Sequence, residues 1–363
     1  MSTEPLPQAG VPDPRQLHDR LVAAFARRQP LLQPSVLDSF RLVHGAGDGL
    51  EGLAIDRYAD GAVVHVRGAA WLHDDVAMGV GDVLQSSGLR WLRAVADLGR
   101  KERGERDASA ERRFEEVARG GRLLGPPERV IALESGRRFS IRPREPFSPG
   151  LFVDMRGPRA DLAARWRGRR VLNLFAYTCG FGVALADRNA VTNVDLSRRA
   201  LLWGRESYAL NGLDTPDDCF VQADVFEHVR GLIERGERFD AVILDPPVHS
   251  QGKGGRARNF SLRRDLGWLV ERGLDLLDRD GELFVSTNYA ELGAEAFRTL
   301  IVGVARDWDY WLERQWPAPV DFVSLPGTLH LKTALLRPRV AGAAPGRKRQ
   351  TPSRREAAQQ GQR

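Results

Sequence analysis

The residues of this 363-residue chain best suited to chemistry are carboxylates standing at the ends of short apolar runs. Asp195 closes Val191–Val194, Asp224 follows Gln222-Ala223, and Asp245 ends Phe239–Leu244. A carboxylate at such a tip accepts hydrogen bonds, and Asp195 is placed to take both hydroxyls of a ribose. Asp224 is placed to accept from an adenine amino group. Asp245 opens Asp245-Pro246-Pro247-Val248-His249-Ser250, where proline presets φ and so fixes the turn. Upstream, Val171-Leu172-Asn173-Leu174-Phe175 runs into a turn of small residues holding Gly180 and Gly182. Glycine lets backbone approach a ligand with no Cβ in the way. Neither a phosphate-gripping lysine nor a longer glycine-rich loop accompanies it, which argues against a P-loop or dinucleotide site.

Those tips need a sheet to hold them. Val171–Phe175, Val191–Val194, the stretch before Asp224 and Phe239–Leu244 read as buried parallel strands. The sequence predicts helices from about Met155 to Trp166, from Val183, at Leu262–Leu277 and at Ala290–Ala305. Further strands are predicted at Glu282–Thr287, Trp311–Gln315 and Leu329–Leu336, the last two as a hairpin. The fold class is α/β, a seven-stranded sheet with its ligand at the strand tips. Ahead of it, strands over Phe40–Tyr58 and Ala62–Val66, a helix at Asp74–Ser86 and a strand at Trp91–Ala96 describe a small α+β domain. The expected division is 1–34 a leader, disordered to residue 16 and ending in a short helix from Leu17; 35–130 the small domain; 131–337 the catalytic domain; and 338–363 a disordered tail. Arg100–Arg119 carries both signs of charge densely and reads as a solvated helix or loop, with an arginine surface for RNA as the sharper alternative.

Hydrophobic content of 42% and charged content of 28% are those of a soluble globular protein. Without a long apolar run or a signal sequence, the expectation is a cytosolic protein that does not engage membranes. Two cysteines and seven scattered histidines offer no metal-ligand spacing, so no metal is expected. Residues 337–363 hold eight basic residues and one acidic, +7 of a net +6, which leaves the remainder at −1. The high pI therefore belongs to the tail, which reads as an RNA-binding arm or a solubilising extension.

These motifs, with Leu42-Val43-His44-Gly45, Gly47-Asp48-Gly49-Leu50, Asp56-Arg57-Tyr58 and Gly150–Arg156, resemble bacterial 23S ribosomal RNA methyltransferases of the cytosine-C5 and guanine-N7 kind. These are class I enzymes that use S-adenosylmethionine. The resemblance spans roughly residues 38–337. Met155 stands where that family commonly has Gln, and no RNA-binding PUA domain is recognisable before residue 35. It implies that Asn173, Phe175, Thr178, Gly180, Asp195, Leu196, Asp224, Val225 and Asp245 bind the donor. Asp245, Pro246, Pro247 and His249 would then hold the acceptor base, with Val248 beside it and Ser286-Thr287-Asn288 bordering the pocket.

Chemistry separates the two kinds. Carbon 5 of cytosine is a poor nucleophile, so such enzymes first add a Cys thiolate to C6, and family members of that type carry the Cys on the strand after the Asp-Pro-Pro helix. Here that strand reads Leu283-Phe284-Val285-Ser286-Thr287-Asn288. Cys179 in the cofactor turn and Cys219 before Asp224 read as packing residues. The expectation is methylation of a guanine nitrogen in large-subunit ribosomal RNA by a monomer or homodimer. Two other readings stay open: cytosine-C5 methylation through an unrecognised nucleophile, and a cofactor-binding RNA or ribosome assembly factor whose catalytic loop has decayed.

Overall fold

The computed structural model describes residues 11–97, 108–146, 148–216, 219–250, 260–325 and 330–340, with backbone alone at Asp97, His249, Ser250 and Phe260. The chain begins with α1 (Pro14–Arg28), capped by the Asp13 carboxylate, which accepts from the backbone N–H groups of Arg15 and Gln16. A four-stranded sheet follows, from β1 (Ser39–His44), β2 (Leu53–Tyr58), β3 (Gly61–Arg67) and β4 (Trp91–Asp97). Its first three strands are antiparallel; α2 (Asp74–Ser86) makes the crossover that sets β4 parallel to β3. The apolar stripe of α1 (Leu17, Leu21, Ala24, Phe25) joins the core of this sheet. The leader expected as disordered to residue 16 therefore enters a packed helix at Pro14, because those four side chains recur at helical spacing and are buried.

The charged stretch at 100–119 is corrected from 108 onward. There α3 (Ala108–Arg119) buries Phe114, Ala118 and two glutamates against β4. Glu115 and Glu111 accept hydrogen bonds from the backbone N–H groups of Ala94 and Ala96, at 2.9 and 3.0 Å, and both pair with Arg93. Carboxylates thus satisfy the donors of an edge strand. Residues 98–107 lie outside the described residues.

A hairpin of β5 (Val130–Glu134) and β6 (Arg137–Ile141) leads through α4 (Arg156–Arg165) into the large sheet. That sheet takes in β7 (Arg170–Leu174), β8 (Ala190–Asp195), β9 (Phe220–Gln222) and β10 (Phe239–Leu244), joined by α5 (Gly180–Leu185), α6 (Arg198–Leu210) and α7 (Val225–Glu234). A two-residue pair, β11 (His249–Ser250) and β12 (Phe260–Ser261), precedes α8 (Leu262–Asp275) and β13 (Leu277–Thr287). Helix α9 (Ala294–Asp307), β14 (Tyr310–Arg314) and β15 (Lys332–Pro338) complete it. The spatial order is β14-β15-β13-β10-β7-β8-β9, with β15 antiparallel to both neighbours and the five strands from β13 to β9 parallel. Val171, Leu172, Leu174 and all of Ala241–Leu244 are fully buried, as strands covered by helices on both faces must be. Strand order reverses between β7 and β10, so a crevice opens at their C-terminal ends.

The two sheets are joined without a hinge of loose contacts. Tyr58, Val63 and Trp91 share one core with Ala132, Phe139, Ile141, Leu151 and Cys179. Asp321, wholly buried, accepts from Arg28 through its carbonyl and from the Arg41 backbone and the Arg156 guanidinium through its carboxylate. The β5–β6 hairpin spans the expected boundary at 130. At the other end, the strand outruns the expected limit at 337: Arg337 pairs with Glu282 and Glu313, and Arg339 N–H donates to Asp309. Residues 341–363, most of the basic tail, and the loop 251–259 lie outside the described residues. No helix of the described residues is long and apolar enough to cross a membrane.

Candidate active site

The turn after β7 is built under strain. Phe175, Tyr177 and Cys179 all take positive φ (59°, 47° and 59°), a region that costs a non-glycine residue roughly 1–3 kcal/mol. Neighbouring contacts enforce it. The Asp195 carboxylate accepts the Tyr177 N–H at 2.8 Å and the Ser197 N–H at 2.8 Å. Thr178 donates its hydroxyl to the Gly150 carbonyl, and Tyr177 donates to the Ser148 carbonyl at 3.3 Å. The Gly150–Arg156 segment is in turn held from the small sheet, since Tyr58 donates to the Leu151 carbonyl at 2.8 Å. Gly150 itself (φ 113°) leaves no room for a side chain, because a Cβ would sit 2.2 Å from Trp203.

The two glycines of the turn serve different ends. A Cβ on Gly182 would come within 2.4 Å of both Asn193 Oδ1 and the Tyr208 hydroxyl, so Gly182 answers to packing rather than to ligand approach. At Gly180 the nearest atom, on Arg159, would be 3.6 Å from a Cβ, and this glycine lines the cavity. Asn173 donates to Asn193, which donates to the Tyr208 hydroxyl, a buried chain of amides behind the turn.

A cavity of 330 Å³ lies in the crevice. Asn173, Phe175, Thr178, Gly180, Asp195, Leu196, Asp224, Val225, Asp245, Pro246 and Pro247 all line it, as do Met155 and Asn288. Asp224 caps α7: its Oδ1 accepts from Phe226 and Glu227 backbone N–H groups at 2.8 and 3.2 Å, and no hydrogen bond to its Oδ2 appears among the described residues. Ser286 donates to Asp245 at 2.8 Å. The side chain of His249 lies outside the described residues, so its expected base contact has no place assigned here. Thr287, expected at the border, is buried and accepts from the Tyr289 N–H instead.

Three charged residues escaped the sequence reading. Arg159, buried in α4, reaches the cavity and forms a two-pronged pair with Glu134 of the β5 strand, both bonds 2.7 Å; Asp154 also lines the wall. The one available signal was an arginine on the buried face of α4, one turn before Leu162. Four carboxylates (Asp154, Asp195, Asp224, Asp245) therefore face one arginine whose charge Glu134 already balances. Burial pushes the Asp245 carboxyl up to about 6; the Ser286 bond lowers it, Asp154 raises it and Arg159 lowers it. Burial also raises Asp195, against the two N–H donors it accepts from. The cavity is thus suited to a ligand that brings positive charge and an apolar ring for Leu196, Val225 and Phe226.

Neither thiol faces this space. Cys179 is fully buried, and a Cβ on Gly204 of α6 would lie 2.6 Å from its sulfur, so the thiol points behind the turn. Burial raises it well above the usual thiol range. Cys219 leads into β9 at the end away from the strand tips.

Such a sheet order, with a switch-point cavity and aspartates at three strand tips, is that of an α/β protein that binds a nucleoside-type ligand. The family profile of S-adenosylmethionine-dependent methyltransferases matches residues 108–337, and the chain belongs to that family. It is 33% identical over 299 residues to ribosomal RNA large subunit methyltransferase I of Aeromonas hydrophila, covering 79% of this chain and 70% of that relative. It is 34% identical over 306 residues to a ribosomal RNA large subunit methyltransferase of Deinococcus radiodurans, covering 81% and 72%. A solved structure from Streptococcus mutans, assigned as an S-adenosylmethionine-dependent methyltransferase, has the same fold at a TM-score of 0.75 and 22% identity, covering 91% of this chain and 83% of that one. The protein is a methyltransferase whose donor is S-adenosylmethionine. The residues fit it: four carboxylates suit a sulfonium cation, and the apolar wall suits an adenine.

Proposed function

We propose that the protein methylates a guanine nitrogen of large-subunit ribosomal RNA. The relatives' names support the RNA. The nitrogen rests on one observation: no thiol stands at the strand tips around Asp245. The β13 tip offers the Ser286 hydroxyl, bonded to Asp245, and then Asn288. A cytosine-C5 reaction needs a thiolate on the acceptor face, and Cys179 points away with its thiol held protonated by burial.

In this reading Asp195 holds the donor's ribose hydroxyls, with Leu196 beside the sugar. Asp224 accepts from the adenine amino group through its open Oδ2, and Val225 packs on the ring. Asn173, Phe175, Thr178 and Gly180 line the amino-acid end. The bound donor supplies an electrophilic methyl group. Asp245 accepts an N–H from the guanine edge, the rigid Pro246-Pro247 turn orients that edge, and positioning supplies most of the rate because a nitrogen lone pair needs no covalent activation.

The test is a nucleoside analysis of large-subunit ribosomal RNA incubated with the protein and isotopically labelled donor. Label in methylguanosine, retained by the Cys179→Ala/Cys219→Ala double variant and lost in Asp245→Ala, is the expected result. Label in 5-methylcytidine, or a folded, donor-binding double variant without activity, overturns it.

A further inference from the structure

A second cavity, of 820 Å³, lies beside the donor site and has no part in the chemistry described above. One wall is the small sheet, including His44, Gly47 and Arg67; the other is formed by Asn288, Ala290 and Leu292 after the β13 tip, together with Val323, Ser324, Leu325 and His330. The junction is tight, since a Cβ on Gly47 would meet the Val323 carbonyl at 1.7 Å. Asn288 lines both cavities. A second link is Asp154 of the donor cavity, 3.6 Å from His330 of the groove. The two spaces therefore adjoin.

The groove's surface suits a flat ring. His330 lies parallel to Phe322 (centroids 6.5 Å, 16°) and edge-on to His44 (6.2 Å, 72°). Its side chain remains 45% exposed. His44 is held near 4 by burial and by Arg41, so at neutral pH it adds an uncharged imidazole. Arg41 sits over Phe322 at 4.5 Å and is already paired with Asp56. Arg67, exposed at the end of β3, places a cation on the rim. Size points the same way. A cavity of 330 Å³ is at the low end for a single small-molecule ligand, so it holds the donor while a polymeric acceptor must lie outside, along the larger groove.

We propose that this groove binds the nucleotide next to the target base in single-stranded RNA, with that nucleotide's base stacked on His330 and its phosphate near Arg67. The proposal rests on the RNA reading above and deepens it. Stacked bases and a rim cation are the usual means of holding an unpaired strand.

The experiment uses the full chain, S-adenosylmethionine and an unmodified transcript of large-subunit ribosomal RNA. His330→Ala should raise KM for the transcript about tenfold, the effect of losing one stacked base, with kcat within about threefold of wild type; His330→Phe should restore KM. Arg67→Ala should weaken RNA binding and reduce the salt slope by about one. Ala290→Trp, at an exposed position on the groove wall, fills the space without touching the core and should also raise KM about tenfold. Donor affinity by calorimetry should match wild type in all four. If the wild type methylates the transcript while His330→Ala and Ala290→Trp keep KM within about twofold, the groove proposal falls and the RNA reading stands. A wild type that leaves the transcript unmethylated overturns the RNA reading, and the groove assignment with it.

Discussion

Replacing Asp245 by Asn should stabilise the free protein while ending its activity. The carboxyl titrates at about 6 in the folded chain, against an ordinary aspartate value of 3.8. Each unit of difference is worth about 1.4 kcal/mol, so ionising this group inside the fold costs about 3 kcal/mol, or about 2–3 once its partial exposure is allowed for. The sign follows from proton binding. The folded state holds the proton more tightly, so the stability contributed by the neutral acid is present below about 4 and lost as pH rises through about 6. Asn has the shape of the neutral acid, keeps an oxygen for the Ser286 hydroxyl and never ionises. At pH 7.5, without donor, Asp245→Asn should resist urea by about 2–3 kcal/mol more than wild type, and the gap should narrow to about 1 kcal/mol at pH 4.5. Tryptophan fluorescence during urea unfolding at the two pH values measures it, and radiolabel transfer to RNA measures activity. A variant no more stable than wild type at pH 7.5, or a gap unchanged at pH 4.5, would refute the claim that burial strains this carboxylate.

Asp195→Ala should weaken donor binding by about 2–4 kcal/mol in a calorimetric titration, since it removes charge-assisted bonds and frees the Tyr177 and Ser197 N–H groups that fix the turn; unchanged affinity would count against the ribose assignment. A chain ending at Val340, past the Arg337 and Arg339 contacts, should keep its fold and donor affinity but bind RNA less tightly at low salt. An identical salt slope with and without residues 341–363 would remove the tail from RNA recognition.

The sheet was legible because its central strands are apolar runs leading to Asp195 and Asp245, and burial on both faces leaves such runs few alternatives; the half-exposed β9 was placed by its position before Asp224. The cavity wall was less so. Leu196 and Val225 sit beside strand-tip aspartates and came with the motif, whereas Arg159 and Asp154 enter from α4 and the segment before it, brought in by tertiary packing that no local period encodes. The same limit explains the misread charges. Glu111 and Glu115 look like a solvated helix face until β4 proves to be an edge strand needing acceptors. Gly182 looked like a ligand-facing glycine because the motif permits it, yet the atoms it makes room for belong to Asn193 and Tyr208.

The placement of charge around the donor cavity gives the small sheet a reason to be fixed so firmly. Arg159, which shares the cavity wall with Asp154 and Asp245, is paired with Glu134 on the hairpin that bridges the two sheets. Tyr58 of the small sheet and Arg159 of α4 hold the carbonyls of Leu151 and Phe152, consecutive residues of the cavity wall. The small sheet thus tensions the segment that carries Asp154 and, through Asp321, the segment that carries Phe322 under His330. A shift at that junction would displace both the carboxylates lining the donor cavity and the His330 ring lining the groove. In the proposed reading, rigid coupling of the two sheets sets donor and acceptor in register, which catalysis by positioning requires.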